Sequence, residues 1–134
     1  MRVRDNAFIF LGAAALLAGC ADNPGPADVP AGTWGGRNVE MHVQGQSTTL
    51  QFKCGALGRV DGAVALDASS RFAVDGTYDP VLVLGGPRAA HYTGSLAGTR
   101  LTLNVVVDQT TLGPFDLQQG QAGAFDPCNF ASAP

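Results

Sequence analysis

The sequence predicts an all-β domain, an antiparallel up-and-down meander that closes into a small barrel of seven to eight strands. Apolar and polar residues alternate with a period of two through most of the chain after residue 32, which is the spacing of strands with one buried face. The 134 residues include 18 Gly and 8 Pro, so turn formers outweigh helix formers. Short, regularly spaced strands are typical of sandwiches and barrels, and we favour the barrel because closure removes exposed strand edges.

The first predicted strand runs from Gly32 through Val43, with Trp34, the only tryptophan, near its start. A turn at Gly45–Ser47 leads into a second strand that ends at Cys54. Between Gly55 and Gly62 the alternation is less regular, which predicts a short or bulged strand.

Further strands follow at regular intervals, separated by Gly, Asp, Ser and Pro turn residues. They are predicted at Ala63–Leu66, Phe72–Tyr78, Ala90–Leu96, Leu101–Val107, Phe115–Leu117 and Phe125–Phe130. Turns are predicted at Asp67–Ser70, Asp79–Pro80 and Asp108–Thr111. Val81–Leu84 is apolar at every position, and we expect a buried crossover, an additional strand or, if exposed, a contact surface.

Residues 1–19 have the pattern of a signal peptide. A cationic start is followed by an apolar stretch, Ala7–Leu17, that is too short to span a bilayer. Leu17-Ala18-Gly19-Cys20 resembles the lipobox of bacterial lipoproteins, which implies cleavage before Cys20 and a diacylglyceryl group on its thiol. Two acyl chains make anchoring stable where one is marginal. The alternative is an ordinary signal peptide followed by an unmodified cysteine.

Residues 20–31 are predicted to be the lipidated cysteine and a flexible tether, which leaves residues 32–134 as a single β-barrel domain. The tether is rich in Pro and Gly and has no periodicity. The lipoprotein resemblance implies a location in the cell envelope, facing the periplasm or the cell exterior. Ala21 after the cysteine, in place of Asp, favours the outer membrane in a Gram-negative source.

The other two cysteines are predicted to form a disulfide. With Cys20 acylated, Cys54 and Cys128 remain as an even pair in an exported domain. The alternative is a reactive or metal-binding thiolate, but neither cysteine lies in a CxxC motif or in a comparable motif that includes a histidine.

The opening Gly32-Thr33-Trp34 resembles the Gly-x-Trp start of lipocalins and avidins, which are eight-stranded up-and-down barrels. A longer outline is similar to a group of small bacterial lipoproteins of unestablished function. It comprises Gly32–Gly36, Cys54, Gly76-Thr77-Tyr78, Tyr92-Thr93-Gly94 and Cys128. The resemblance to lipocalins implies that Trp34 plugs one end of the barrel; the alternative is a ligand-stacking residue.

This chain departs from both barrel families at the positions that carry their signatures. Lipocalins pair the tryptophan with a late arginine, and here no arginine follows Arg100. Avidins line their site with several tryptophans, so biotin binding is not expected of a chain with one.

The predicted ligand site lies at the open end of the barrel. Small residues at the presumed inner positions Gly76, Ala90 and Gly94 would leave room there. The candidate ligand-binding residues are Tyr78, Leu82, Leu84 and Tyr92. A core filled by side chains is favoured over this pocket, because eight strands enclose an interior that side chains can just fill.

We predict a protein that is not an enzyme and holds no metal or cofactor. The sequence contains no nucleophile elbow, P-loop or His-Glu-x-x-His motif. The two histidines, His42 and His91, lie on the polar faces of their strands, and a metal site would need a third ligand such as Glu40. The chain has a net charge of −3 with no basic stripe, which argues against nucleic acid as a partner.

The function expected from these features is a non-enzymatic binding or structural module, anchored to the membrane at Cys20 and monomeric. Its ligand would be a small apolar molecule in the barrel mouth. The alternative is an interaction or inhibitor protein that docks another envelope or secreted protein through its outer wall and loops.

Overall fold

A computed structural model describes residues 27–81 and 85–128, which form a closed eight-stranded antiparallel barrel. Each strand pairs with the next in chain order, and the last pairs with the first. The predicted up-and-down barrel is therefore confirmed. The strands are β1 (Gly32–Gly36), β2 (Val39–Val43), β3 (Ser47–Phe52), β4 (Leu57–Asp61), β5 (Arg71–Asp79), β6 (Arg88–Ala97), β7 (Arg100–Val107) and β8 (Thr110–Gln119).

The predicted first strand is wrong in one respect, because it is two strands joined by a tight turn. Gly36 pairs with Val39, and the two residues between them, Arg37 and Asn38, reverse the chain. Asn38 has φ 65°, a left-handed conformation that asparagine tolerates better than most residues. This hairpin supplies the eighth strand of the barrel.

The barrel has two different ends, because its strands alternate in direction. We call the end where the chain reaches β1 the entry end, and the opposite end the far end. The connections β1–β2, β3–β4, β5–β6 and β7–β8 all lie at the far end. The β3–β4 connection contains a short 3-10 turn, Lys53–Gly55, so Cys54 lies just beyond the strand in which it was predicted.

The predicted strand at Ala63–Leu66 is instead a cover over the entry end. Only Ala65 forms a β-bridge, with Asp28, and the Val29 amide donates to the Val64 carbonyl at 2.9 Å. Val29, Val64 and Leu66 are all buried in the core. Residues 27–30 therefore belong to the folded domain, which begins before the predicted boundary at residue 32.

The C-terminal residues 120–128, called the C-terminal strap, run along β1 towards the far end. Ala124 exchanges backbone hydrogen bonds with Gly36 and Asn38 at 3.0 and 2.8 Å. Residues 125–128 form no strand, so the described part of the strand predicted at Phe125–Phe130 is wrong, and residues 129–130 lie outside the described residues. The predicted disulfide is confirmed, since Cys54 and Cys128 are bonded, with their Cα atoms 5.2 Å apart.

Glycine lets the strap lie directly against the barrel. A Cβ on Gly35, which faces outward, would overlap the backbone of Gln121 and Ala122. The close approach therefore requires a residue without a side chain at this position.

Inward-facing side chains from all eight strands fill the barrel. Those with less than 2 % exposed surface are Trp34, Tyr92, Leu50, Leu101, Leu103, Leu117, Val39, Val105 and Thr48. The Phe52 ring packs against Tyr78 and Phe115 with centroid distances of 5.3 and 5.7 Å. These distances are within the range of favourable aromatic pairs.

Thr48 is the one fully buried polar side chain in this core, and its Oγ1 has no hydrogen-bond partner within the described residues. An unpaired buried hydroxyl costs free energy. Thr48→Val keeps the shape and removes the hydroxyl, so we expect it to raise the free energy of unfolding by about 1 kcal/mol. Urea unfolding measures the change, with Thr49→Val on the exposed outer face as the matched control. A loss of stability in Thr48→Val alone would contradict the expectation.

Candidate functional site

Aromatic rings occupy the space that the inner glycines were predicted to leave free. A Cβ on Gly76 would overlap the Arg59 carbonyl and lie 3.0 Å from the Tyr92 ring. A Cβ on Gly94 would overlap the Thr102 carbonyl and the Phe72 ring. Phe72 and Gly94 are direct cross-strand partners, and such pairing of an aromatic ring with a glycine stabilises strands that glycine would weaken. The core is therefore filled at these positions, as the favoured interpretation predicts, and the alternative of a pocket there is wrong.

Tyr92 lies in the core and not on an open rim, which corrects its predicted placement. It is 1 % exposed, and its hydroxyl donates to the Thr77 carbonyl at 2.6 Å. Burial raises the pKa of Tyr92, and the neighbouring Tyr78 adds to the rise, while a hydrogen bond from the Arg59 backbone opposes it. The hydroxyl thus contacts both β4 and β5.

Tyr92 stabilises the short seam between those two strands. β4 and β5 pair only through Leu57–Arg59 and Thr77–Asp79. Gly58 lies within this seam, and a Cβ on it would overlap the Tyr92 hydroxyl. The glycine therefore makes room for the tyrosine to reach across the barrel.

Removing the Tyr92 hydroxyl should weaken this seam. In Tyr92→Phe the Thr77 carbonyl loses its partly buried side-chain partner, and we expect the free energy of unfolding to fall by roughly 1–3 kcal/mol. Tyr78→Phe is the control, since Tyr78 is only partly buried and its change should stay within about 0.5 kcal/mol. Denaturant unfolding compares the two, and equal losses would show that the hydroxyl does not support the seam.

Trp34 lies inside the barrel next to the segment that enters it. Its side chain has no exposed surface, and Nε1 donates to the Pro30 carbonyl at 3.0 Å. The indole therefore joins β1 to the residues that cover the entry end. In this position it cannot stack on a ligand unless the cover moves.

A small cleft lies at the far end beside Tyr78. Its volume is about 230 Å³, and Pro80, Val107 and Leu112 also line it. Arg88 pairs with Asp108 at 2.9 Å, and both residues also line the cleft. Among the predicted ligand-binding residues, Tyr78 is at this cleft, Tyr92 is in the core, and Leu82 and Leu84 lie outside the described residues.

Among residues 27–81 and 85–128, three large apolar side chains are exposed, all at the far end. Leu57, Val81 and Phe125 retain 46, 50 and 41 % of their accessible surface, and we call them the far-end apolar surface. A groove of about 210 Å³ lies between Leu57 and Phe125, next to Cys54. A second groove of about 360 Å³ lies on the other side of Leu57, towards Pro87.

The sequence contained signals for two of these residues. Val81 opens the apolar run Val81–Leu84, which was predicted to be a contact surface if exposed; residues 82–84 lie outside the described residues. Leu57 has the same parity along the chain as Arg59 and Asp61, which places it on the outer face of β4. Phe125 follows no periodic pattern, and only the path of the C-terminal strap puts it beside Leu57.

Polar contacts fix the strap at the far end. Asp126 accepts hydrogen bonds from Asn38 and Arg37, both at 3.1 Å, and its amide donates to Asn38 Oδ1 at 2.8 Å. The side-chain bond from Asn38, and then that from Arg37, hold the pKa of Asp126 below its usual value. Further along the strap, the Gly123 amide donates to Glu40 at 2.9 Å.

The two histidines lie on different strands and have separate acidic partners. His42 on β2 contacts Glu40 at 2.7 Å and Thr33 at 3.3 Å. His91 on β6 contacts Asp75 at 2.8 Å. In residues 27–81 and 85–128, no three His, Cys, Asp or Glu side chains are grouped closely enough to hold a metal ion.

Comparisons with known proteins identify no relative. No family model, no curated protein and no solved structure matches the chain. In the described part of the chain, no helix is long and apolar enough to cross a membrane.

Proposed function

We propose that the protein is a membrane-anchored lipoprotein of the cell envelope that acts as a non-enzymatic binding module. Its partner is another envelope protein, which docks on the far-end apolar surface. The observation that carries the proposal is the position of Leu57, Val81 and Phe125, which are the exposed large apolar residues of the described chain and all lie at one end of the barrel. Exposed apolar patches of this kind commonly mark interaction sites.

The lipid anchor and the fold together favour this orientation. Cys20 precedes Ala27 by seven residues, so the anchor lies within about 25 Å of the entry end even along a fully extended chain. The entry end is covered by Val29, Val64 and Leu66. The far end then faces away from the membrane, where a partner has access to it.

The filled interior favours the outer surface over the barrel lumen as the place of binding. Tyr92 and Phe72 occupy the space above the inner glycines. The disulfide next to Leu57 joins the strap to the β3–β4 turn, which keeps Phe125 and Leu57 in a fixed relation. Pre-organisation of this kind lowers the entropic cost of binding.

Site-specific photo-crosslinking in intact cells tests the proposal. A photoreactive amino acid at Leu57 or at Phe125 is expected to give the same discrete protein adduct. The control is the same probe at Gln46, an exposed residue of the β2–β3 turn at the entry end. Absence of an adduct at both far-end positions, or equal labelling from Gln46, would contradict the proposal.

A second candidate function is binding of a small apolar ligand in the cleft beside Tyr78. Pro80, Val107 and Leu112 give that cleft an apolar lining. Its volume of about 230 Å³ lies below the usual range of roughly 300–1,000 Å³ for ligand pockets, which limits the ligand to a small molecule. Native mass spectrometry of the purified protein is expected to show a co-purified mass that disappears in Leu112→Arg. An unliganded spectrum for both proteins would reject this function.

A further inference from the structure

A second concave surface lies on the outer wall of the barrel, away from the far-end apolar surface. Its volume is about 740 Å³. The strands β5, β6 and β7 form its floor, and residues 65–67 form one wall. We call it the wall groove.

Strand register arranges its floor as two rows of side chains on the same outer face. Each row crosses β5, β6 and β7 through direct pairing partners. The rows are Arg71, Ser95 and Thr102, and Ala73, Thr93 and Asn104. Neighbouring strands are about 4.8 Å apart and alternate residues about 6.8 Å apart, so the six positions cover roughly 10 by 7 Å. Ala73, the smallest of the six, leaves a hollow in the floor.

The polar groups of the floor are available to a ligand. Among the described residues, the side chains of Thr93, Ser95, Thr102 and Asn104 make no hydrogen bond to the protein. These four side chains are also only partly exposed, so they lie on a surface that is partly sheltered from solvent. Three hydroxyls and one amide thus provide both donors and acceptors on a partly sheltered surface.

Arg71 adds one positive charge at the edge of this surface. Arg37, Arg59 and Arg88 each pair with an aspartate, whereas the Arg71 guanidinium has no ion-pair partner within the described residues. The nearest acid in the groove wall is Asp67. Its Oδ1 accepts hydrogen bonds from the Arg71 and Ser69 amides at 2.9 and 2.8 Å. These bonds lower the pKa of Asp67, and the positive charge of Arg71 adds to the lowering.

We propose that the wall groove binds a short acidic saccharide, whose carboxylate contacts Arg71 and whose hydroxyls bond to the floor. A guanidinium matches a carboxylate in a bidentate manner, and hydroxyl and amide side chains match sugar hydroxyls in both donor and acceptor roles. Asn104 and Thr102, on the strand farthest from Arg71, contact the neutral part of the ligand. The volume is within the range of ligand sites.

Charge and polarity decide between this ligand and others. A wholly apolar ligand would leave the hydroxyls and the amide without partners, which is costly. A polyanion is disfavoured because the chain has a net charge of −3 and the groove offers one guanidinium, that of Arg71, with the Asp67 carboxylate in its wall. A saccharide with a single acidic group satisfies both conditions.

Calorimetric titration of the full chain in detergent micelles tests the proposal. The probes are sialyllactose and a xylobiose that carries one glucuronic acid, with lactose and xylobiose as their neutral counterparts. We expect an acidic probe to bind in the millimolar range or tighter, and its neutral counterpart at least about tenfold more weakly. Arg71→Gln should weaken the binding of the acidic probe about tenfold.

Arg59→Gln is the matched control, because it removes the same charge from β4, outside the wall groove. The affinity of this variant for the acidic probe should stay within about twofold of that of the wild type. Asn104→Ala should weaken acidic and neutral probes by the same factor, since it contacts only the neutral part. No binding of either acidic probe, equal binding of the neutral counterparts, or equal losses in Arg71→Gln and Arg59→Gln would each overturn the proposal. Because Leu57 and Phe125 lie elsewhere, the crosslinking result at the far end is independent of this one.

Discussion

Trp34→Ala is expected to lower the free energy of unfolding by roughly 3–5 kcal/mol, the usual cost of truncating a buried aromatic side chain to alanine. The indole is fully buried, so its removal leaves a cavity that the closed barrel cannot readily collapse. The loss of the bond from Nε1 to the Pro30 carbonyl, 3.0 Å long, also leaves that carbonyl without its side-chain partner. The segment over the entry end should therefore loosen with the core.

Urea unfolding followed by far-ultraviolet circular dichroism measures the effect, because the substitution removes the only tryptophan and with it the fluorescence signal. Trp34→Phe is the control that keeps one aromatic ring and loses the smaller part of the indole together with its Nε1 donor. It should cost less, on the order of 1–3 kcal/mol. Unchanged stability in Trp34→Ala, together with lost binding of a ligand or partner, would assign Trp34 to a binding site and remove its role in the fold.

The fold class was predictable because every strand of a small barrel must bury every second residue on its inner face. The alternation of Leu101, Leu103 and Val105 with polar neighbours appears unchanged in β7, where these three residues are at most 1 % exposed. The pairing of Cys54 with Cys128 was predictable for a similar reason, since an even pair left few choices. The first inference depends on a local pattern of apolar residues, and the second depends on the number of cysteines.

The errors concern features that distant parts of the chain determine. Ala63–Leu66 has the composition of a strand, but its backbone bonds are taken by residues 27–29. The Arg37–Asn38 turn lacks the glycine that usually marks a tight hairpin. Asn38 is instead held by the strap, through Ala124 and Asp126, and no local pattern announces that contact.

The candidate site shows the same limit. Glycine at positions 76 and 94 correctly indicated missing side chains, but it did not reveal whether space or a neighbouring ring lies above them. The answer depends on Tyr92 and Phe72, which reach these glycines from adjacent strands. Register across three strands likewise creates the wall groove, since Arg71, Ser95 and Thr102 are far apart in sequence and adjacent only in the sheet.

Replacing both Cys54 and Cys128 by alanine is expected to lower the free energy of unfolding by roughly 4 kcal/mol or somewhat less. The bridge joins residues 74 positions apart, so its removal returns a large loop to the unfolded ensemble, and the chain-entropy model assigns most of the cost to that state. In the folded state the strap keeps its bonds to Glu40, Gly36 and Asn38. The barrel should therefore still close.

Denaturant unfolding of the double variant and of the wild type, each with and without a reductant, separates the disulfide from any packing effect of the cysteine side chains. The reduced wild type should match the double variant, and the reductant should leave the double variant unchanged. Amide hydrogen exchange gives the local result: the amides of Gly123, Ala124 and Asp126 should exchange faster, while those of β7 should follow only the global loss of stability. If strap and β7 amides change alike, the bridge supports the whole barrel cooperatively and does not act chiefly on the strap. If the double variant is as stable as the wild type, the polar contacts of Asp126 and Glu40 suffice, and the far-end position of Phe125 does not depend on the disulfide.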